Sequence, residues 1–519
     1  MINTLDLLFI HVPGFSSFSR PYGECMTINL LPMGTWSLAD LSVRNGYKTK
    51  ILHLGLAWIK NGVFSPLSFL KEKKPLVVAI PLHWHQQSYD VMKVAGEIKR
   101  YSPDIFIVLG GYTASFFSRD IMASFSQIDA IIRGDAEAPL TALMASIKNG
   151  KELKAVPNLI WRERDEIREN PISFVANESD LDASSFANLD LLLDSSDYVH
   201  YMGMPFVWAK GLSKEKNRRY FHLGPAIFPL NIGRGCSGNC TWCGGGNRAQ
   251  YLVNGRRSVV FRTHSKVADT VSEAVESGYE MIHIAFDPGK EGERYYLELF
   301  PLLRMRGLRV KCYFESFSIP SETFLKAFAA TFDLNGSIIA LSPESGDERI
   351  RRRNKSFSFS NDALMKTISR AEKLGIRVDI FFAMGIPGEK FKDLAKTYSL
   401  RKEIKRRFKN IGRTWTSPIS IEPAAPWYMN PEEFGIVSLR NSFEDFFRAG
   451  AGSGGIGYYI PDYLGNGKLL DRFGFERLLK RTRCRHHCSF HPNPAKSSSP
   501  FRGRIYCRYM RWIVGGVRG

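Results

Sequence analysis

Three cysteines stand close together in the segment Arg234-Gly235-Cys236-Ser237-Gly238-Asn239-Cys240-Thr241-Trp242-Cys243. Thiolates bind iron–sulfur clusters strongly, and a tight Cys-x3-Cys-x2-Cys loop lets three of them reach three corners of one [4Fe–4S] cubane. Cys236, Cys240 and Cys243 are therefore the candidate metal ligands. The fourth iron is left without a protein ligand. An open metal position can take a chelating substrate, much as a catalytic zinc keeps one place free. The amino and carboxylate groups of S-adenosylmethionine (SAM) form such a chelate. A zinc site would usually want a fourth Cys or His at close spacing. None lies near, since His222 is upstream and His264 is distant. Inert, unligated thiols are the other alternative.

The elements around this loop alternate. Strands are expected at 227–232, 280–285, 309–314, 337–341 and 377–383, and helices at 264–277, 293–305, 321–331, 361–374 and 391–405. Alternation over 226–415 predicts a full or partial (β/α) barrel, with its site at the carboxyl ends of the strands. The first 150 residues carry another such pattern. Strands are expected at 5–12, 48–53, 75–80, 104–109 and 129–133, and helices near 34–45 and 88–101. The run Pro75 to Ile80 is continuously apolar, as a buried parallel strand requires. This pattern predicts a doubly wound parallel sheet whose ligand sits beyond the strand ends. Gly110-Gly111 lies at such an end, where a missing Cβ lets backbone approach a bulky ligand. Residues 151–225 read as a less regular connector. Residues 416–519 read as a mixed region with a Gly-rich turn (Ala449 to Gly457) and a basic tail.

Residues 226–415 resemble the radical SAM superfamily, on the cysteine motif and on three further segments that follow it in order. Gly244-Gly245 follows the last cysteine, Glu344-Ser345-Gly346 follows a strand, and Gly385-Ile386-Pro387-Gly388-Glu389 looks like a strand-end motif of the family. The resemblance implies a partial (β/α)6 barrel and reductive cleavage of SAM to a 5′-deoxyadenosyl radical. It implies that Gly244 and Gly245 meet the methionine amino group, that Glu344 and Ser345 support SAM, and that Gly385, Ile386 and Pro387 lie near the adenine. Asp287 stands where many relatives carry an acidic pair, but Pro288 replaces the second acid. An external electron donor such as flavodoxin or ferredoxin is implied as well.

Residues 1–150 look like the cobalamin-binding, Rossmann-like domain that precedes the barrel in one large subclass. The matching pieces are Leu31-Pro32-Met33-Gly34, Val77-Val78-Ala79-Ile80, Gly110-Gly111-Tyr112-Thr113-Ala114 and Arg133-Gly134-Asp135-Ala136-Glu137. The resemblance makes Gly110, Gly111, Tyr112, Thr113, Gly134 and Glu137 candidate cobalamin contacts. Gly-Asp-Ala-Glu stands here where many relatives have Gly-Glu-x-Glu. The Asp-x-His-x-x-Gly motif that supplies a lower axial histidine elsewhere is absent, as is usual in this subclass. His83 and His85 follow the third strand and are candidates to approach the corrin. Pro423 to Trp427 and Pro431 to Ile436 resemble the region after the barrel in such relatives, where it caps the substrate side. The whole implies a C-methyltransferase acting on an unactivated carbon. A cyclase, ring-contraction or carbon–carbon coupling enzyme shares the domains, and a non-catalytic cobalamin or redox sensor is a reading of another class.

Composition bounds the partners. The 519 residues are 44% hydrophobic and 24% charged, which is globular, and the formal charge is +20. Basic runs at 349–355, 401–409 and 477–485 make an anionic group on a small-molecule substrate an expectation. They lack regularly interleaved aromatics, so nucleic acid ranks low. No run of about 18 apolar residues suggests a transmembrane helix, and the start Met1 to Asp6 lacks the basic region of a signal peptide. Eight cysteines in so long a chain fit metal ligation in a reducing cytoplasm better than a disulfide framework. Cys484, Cys488 and Cys507, with His486, His487 and His491 among them, are candidates for a second metal.

Overall fold

The computed structural model of the chain describes residues 5–15, 25–27, 30–202, 207–209, 226–453 and 455–484. It divides into two units. One comprises residues 1–235, 250–280 and 442–453, the other residues 236–249, 281–441 and 454–519.

The first unit is built on strands β1 (Leu7–His11), β2 (Thr49–His53), β3 (Val77–Pro81), β4 (Phe106–Gly110) and β5 (Ala130–Ile132). They pair in parallel in the order β2-β1-β3-β4-β5. All five residues of β1 and the first four of β3 are buried, which is why these runs read as unbroken apolar sequence. Helices α1 (Met33–Arg44), α2 (Ser88–Tyr101) and α3 (Glu137–Asn149) serve as crossovers. One core joins Leu7, Phe9, Trp36, Val77, Val108 and Leu140. The order 2-1-3-4-5 reverses direction between β1 and β3, so a ligand crevice opens there at the carboxyl ends.

The expected connector contains a regular piece. β6 (Leu159–Glu163) and β7 (Glu166–Glu169) extend the sheet antiparallel beyond β5. The short helix Phe443–Arg448 also belongs to this unit, where Phe443, Phe446 and Phe447 pack on Phe117 and Phe125.

The second unit carries β8 (Met281–Ile284), β9 (Lys311–Ser316), β10 (Ile338–Glu344), β11 (Arg377–Met384) and β12 (Ile411–Pro418), parallel and adjacent in sequence order. Helices Lys290–Met305, Glu322–Thr331, Asn361–Lys373 and Asp393–Arg407 connect them. This is the strand–helix repeat that the alternation predicts. Ser321 and Ser360 start two of these helices by accepting N–H bonds from Phe324 and Ala363. Tyr296, Phe300, Phe314, Phe324, Phe328 and Phe332 form an aromatic layer between helices and sheet. Such ring pairs add to the gain from apolar burial. Cys312 is free and wholly buried, as a small core side chain. The side chains of Cys484, Cys488 and Cys507 lie outside the described residues. Among the described residues no helix is long and apolar enough to cross a membrane.

Candidate active site

In the second unit the three cysteines of the motif are free thiols on one loop. Each sulfur accepts one backbone N–H. Gly238 donates to Cys236 Sγ at 3.3 Å, Gly245 to Cys243 Sγ at 3.3 Å and Ser356 to Cys240 Sγ at 3.4 Å. Such bonds favour thiolates and tune a cluster they hold. Burial nevertheless pushes the bare Cys236 thiol up, and burial followed by the Glu422 charge pushes Cys243 up to about 12. Deprotonation therefore has to be driven by the metal. Among the described residues no three of His, Cys, Asp and Glu are arranged around a single ion.

Neighbouring segments fix the loop. Thr241 donates its hydroxyl to Asn354 Oδ1 at 2.7 Å and its N–H to the Asn354 carbonyl at 2.9 Å. The Asn354 amide also donates to the Pro387 carbonyl at 2.9 Å. One side chain therefore ties the cysteine loop to the Gly385-Ile386-Pro387 turn. Gly244 donates its N–H to Glu422 Oε2 at 3.0 Å. A Cβ on Gly244 would lie 2.4 Å from the Pro423 carbonyl oxygen, so only glycine fits under this segment. Gly245 has nothing closer to such an atom than Cys243 Sγ at 3.8 Å.

Glu344 sits at the end of β10 with φ +61°, a backbone region costly for a residue with a Cβ and one that collects at functional sites. Lys355 Nζ lies 3.7 Å from its carboxylate, and burial raises the Glu344 pKa more than Lys355 and Arg351 lower it. Ser345 is wholly buried and its hydroxyl accepts the Asp347 N–H. In the Gly385-Ile386-Pro387 turn the Gly385 N–H bonds Glu389 at 2.6 Å, and its carbonyl accepts from Tyr458 at 2.8 Å. Ile386 packs with Ile350, Ala383 and Trp242. These groups of the turn face protein.

Two expectations are modified. Asp287 accepts N–H bonds from Phe317 and Ser318, which makes it the cap of the turn after β9. The basic run at 349–355 is divided, with Arg351 and Lys355 buried and Arg349, Arg352 and Arg353 exposed. Arg351 is fully buried on the carbonyls of Pro343, Ser345 and Phe359, and Lys355 donates to the Ser342 carbonyl. Arg349 and Arg352 pair with Asp393 and Glu348.

In the first unit the candidate residues gather at the carboxyl ends of β3, β4 and β5. Gly111 has φ +95°, and a Cβ there would lie 2.9 Å from the Leu82 carbonyl. Its glycine is thus required by strand packing, whereas Gly110 has nothing nearer than 4.0 Å and leaves room. Thr113 donates to the His83 carbonyl at 2.9 Å. Tyr112 is half-buried beside it. His83 stands exposed just beyond the end of β3, and the surrounding protein lowers its pKa. Its imidazole is neutral at neutral pH. His85 is instead buried under Phe446. Gly134 donates its N–H to Ser115 Oγ at 2.9 Å. Glu137 takes Arg234 on both carboxylate oxygens, and Asp135 takes Arg234 and Arg256. Burial works against the Arg234 charge, and the two carboxylates outweigh it.

The profile of the radical SAM superfamily matches residues 230–400, and that of the B12 binding domain matches residues 20–144. The chain is a radical SAM protein with an amino-terminal B12-binding domain. An uncharacterized methyltransferase of Pyrococcus horikoshii is 24% identical over 414 residues, 78% of this chain and 79% of that one. The cytidylyl-2-hydroxyethylphosphonate methyltransferase of Streptomyces wedmorensis is 21% identical over 407 residues, 72% of this chain and 73% of the other. The structure of the radical SAM methyltransferase TsrM from Kitasatospora setae, with cobalamin and a [4Fe–4S] cluster bound, superposes with a TM-score of 0.62. It shares 14% identity, with 86% of this chain and 85% of that one covered.

This radical SAM protein carries site residues that its sequence did not single out. Asn354 is one, and the Ser356 N–H on Cys240 is another. Glu422 is the third. Its side chain is exposed, its pKa is raised by the surrounding protein, and the Gly244 N–H is the described group that favours its charge. The cofactor cysteines announce themselves by spacing, whereas these three residues reach the loop from a helix end, a turn and a loop far away in the sequence.

Proposed function

We propose that this protein is a cobalamin-dependent radical SAM methyltransferase that methylates an unactivated carbon of a small molecule. The observation that carries the reading is the pairing, in one chain, of a three-cysteine loop with an N–H donor on every sulfur and a B12-binding sheet of order 2-1-3-4-5. When bound, the cluster supplies one electron to SAM and cobalamin carries the methyl group. An external one-electron donor of flavodoxin or ferredoxin type fits this chemistry, in a reducing cytoplasm.

The roles of the chain's own residues follow. Cys236, Cys240 and Cys243 hold the cluster. Gly244, Gly245 and Glu422 face the methionine end of SAM. An accessible carboxylate held by the Gly244 N–H beside the thiolate loop can receive a cation, and the ammonium of SAM is one. Glu344, strained and inward, meets the ribose end. Gly385, Ile386 and Pro387 lie towards the adenine, and Ser345 supports the site from behind. In the first unit Gly110 and the Gly111–Thr113 loop receive the corrin, with His83 facing it. Trp427, wholly buried, and the Tyr458 ring beside it at 4.8 Å keep water from the turn below.

The test is anaerobic reconstitution with iron, sulfide and cobalamin, followed by incubation with SAM, reductant and candidate substrates. Methyl transfer yields 5′-deoxyadenosine, S-adenosylhomocysteine and a product one CH2 heavier. Formation of 5′-deoxyadenosine alone, from a substrate that is itself altered, would replace methylation by a cyclisation or coupling outcome.

A further inference from the structure

The resemblance makes Glu137 a cofactor contact, yet both of its oxygens are taken by Arg234. Asp135 is equally engaged: Oδ1 accepts from Arg234 at 2.7 Å, and Oδ2 accepts from Arg256 and from the Ala176 N–H at 2.9 Å. Two carboxylates and two guanidiniums therefore balance each other. The side chains of Asp135 and Glu137 are 7% exposed and that of Arg256 5%, while Arg234 keeps 20%, so the acids are largely shielded from water. Forked, charge-assisted bonds of this kind hold one geometry and resist others.

The place of the set matters more than its strength. Arg234 stands on the ribbon Gly233–Arg234, which pairs antiparallel with Val260–Phe261. Two residues further on is Cys236. Gly235 between them is wedged, since a Cβ there would lie 2.9 Å from the Ser258 carbonyl oxygen. On the other side the set continues into the strand ends of the B12-binding sheet. Asp135 follows Gly134, whose N–H bonds Ser115 Oγ at 2.9 Å, and the same hydroxyl bonds the Gly111 carbonyl at 2.8 Å. An unbroken path of bonds thus runs from the Gly110-Gly111 loop to the residue that leads into the cysteines.

We propose that Asp135, Glu137, Arg256 and above all Arg234 form a positioning device that couples occupancy of the cobalamin site to the geometry of the cluster loop. The inference rests on cobalamin and a cluster being the cofactors of this chain. A shift of the Gly111–Ser115 loop on binding the corrin is passed through Gly134 to Arg234, and from Arg234 to the chain leading into Cys236. Coupling between two binding events is reciprocal, so it can be read from either one.

The experiment measures the cobalamin dissociation constant by equilibrium dialysis, on protein with its cluster and on protein stripped of iron. In the natural protein the cluster is expected to tighten cobalamin by about fivefold or more, the lower range of measured couplings. In Arg234→Met both cofactors still bind and the ratio falls to about one. Arg234→Lys keeps the charge but loses the fork, and gives an intermediate ratio. The electron paramagnetic resonance of the reduced cluster shifts on adding cobalamin in the natural protein and stays fixed in Arg234→Met, a change that a merely structural salt bridge does not predict. A natural protein with a ratio of one overturns the proposal, and so does Arg234→Met with the full ratio. Where Arg234→Met fails to take up iron, Glu137→Gln and Arg234→Lys decide, and an unchanged ratio in both overturns it. A natural protein that binds no cobalamin overturns the cofactor assignment itself, and this coupling with it.

Discussion

The strand ends of the two sheets treat charge in opposite ways. In the first unit the two acids described beside the candidate corrin site are neutralised: Asp135 and Glu137 are closed by Arg234 and Arg256. What remains accessible at these strand ends includes Gly110 and the exposed imidazole of His83. In the second unit three thiols and Glu344 are half-buried and Glu422 is exposed, and backbone N–H groups supply much of the support of the thiols and Glu422. Burial raises Cys236, Cys243 and Glu344 alike. The difference separates a surface shaped for a large, nearly flat cofactor from one poised for metal and cation.

The strongest way to break this contrast is at the thiols. Replacing Cys236, Cys240 and Cys243 together with alanine removes bound iron altogether, measured as iron and sulfide per chain, while cobalamin still binds. Loss of both cofactors would show that the two sites are not separate in kind.

A second test uses Glu389, which burial pushes up to about 8 despite bonds from Tyr463 and Gly385. The folded protein keeps a proton that the unfolded chain has lost between about pH 4.5 and pH 8. Stability therefore falls as pH rises through that window, by on the order of a few kcal/mol in all. Denaturant titrations across the window should show this fall in the natural protein and a flatter profile in Glu389→Gln. Parallel profiles would mean that Glu389 ionises normally.

A smaller effect is expected at Glu422. Glu422→Gln keeps an acceptor for Gly244 but loses the charge, and should weaken SAM binding about tenfold, or ~1.4 kcal/mol, in the absence of reductant. Calorimetric titration on the cluster-loaded protein measures it, and unchanged affinity would move the ammonium elsewhere. The smallest effect is expected at His83. His83→Ala should change cobalamin affinity by less than about threefold, and the cobalt(II) resonance of the natural protein should lack nitrogen splitting. A nitrogen splitting that disappears in the variant would make His83 a ligand and give the first unit a metal-binding side chain after all.

Much of the scaffold was legible because buried parallel strands and their helices repeat a plain pattern. The helix expected at 88–101 is Ser88–Tyr101, and the strand expected at 75–80 is Val77–Pro81. The β6–β7 hairpin was not legible. Its outer strand Glu166–Glu169 is exposed throughout, and the turn is made by Arg164 at φ +55°, where no glycine or asparagine signals it. The strand expected at 227–232 is only Ile227–Pro229, since proline cannot donate to a ladder. At the site, the cysteines were legible from spacing alone. Asn354 and Glu422 were not, because their bonds to the loop span 113 and 178 residues and sit in stretches read as charge or as cap. Glu137 was read as a ligand contact because a motif shows that an acid is kept, and not which partner holds it.

The return of Phe443–Arg448 to the first unit has a consequence for synthesis. The Phe443 N–H bonds Asp120 across 323 residues, and the rings of Phe443, Phe446 and Phe447 cover Phe117 and Phe125. On a ribosome adding about 5–20 residues each second, roughly 15–65 s pass between the making of the two parts. For that interval the amino-terminal sheet carries a bare aromatic patch, which is an invitation to chaperones. A premature stop anywhere before residue 443 leaves the patch bare for good, so truncated chains should be recognised as unfinished even though their sheet is complete.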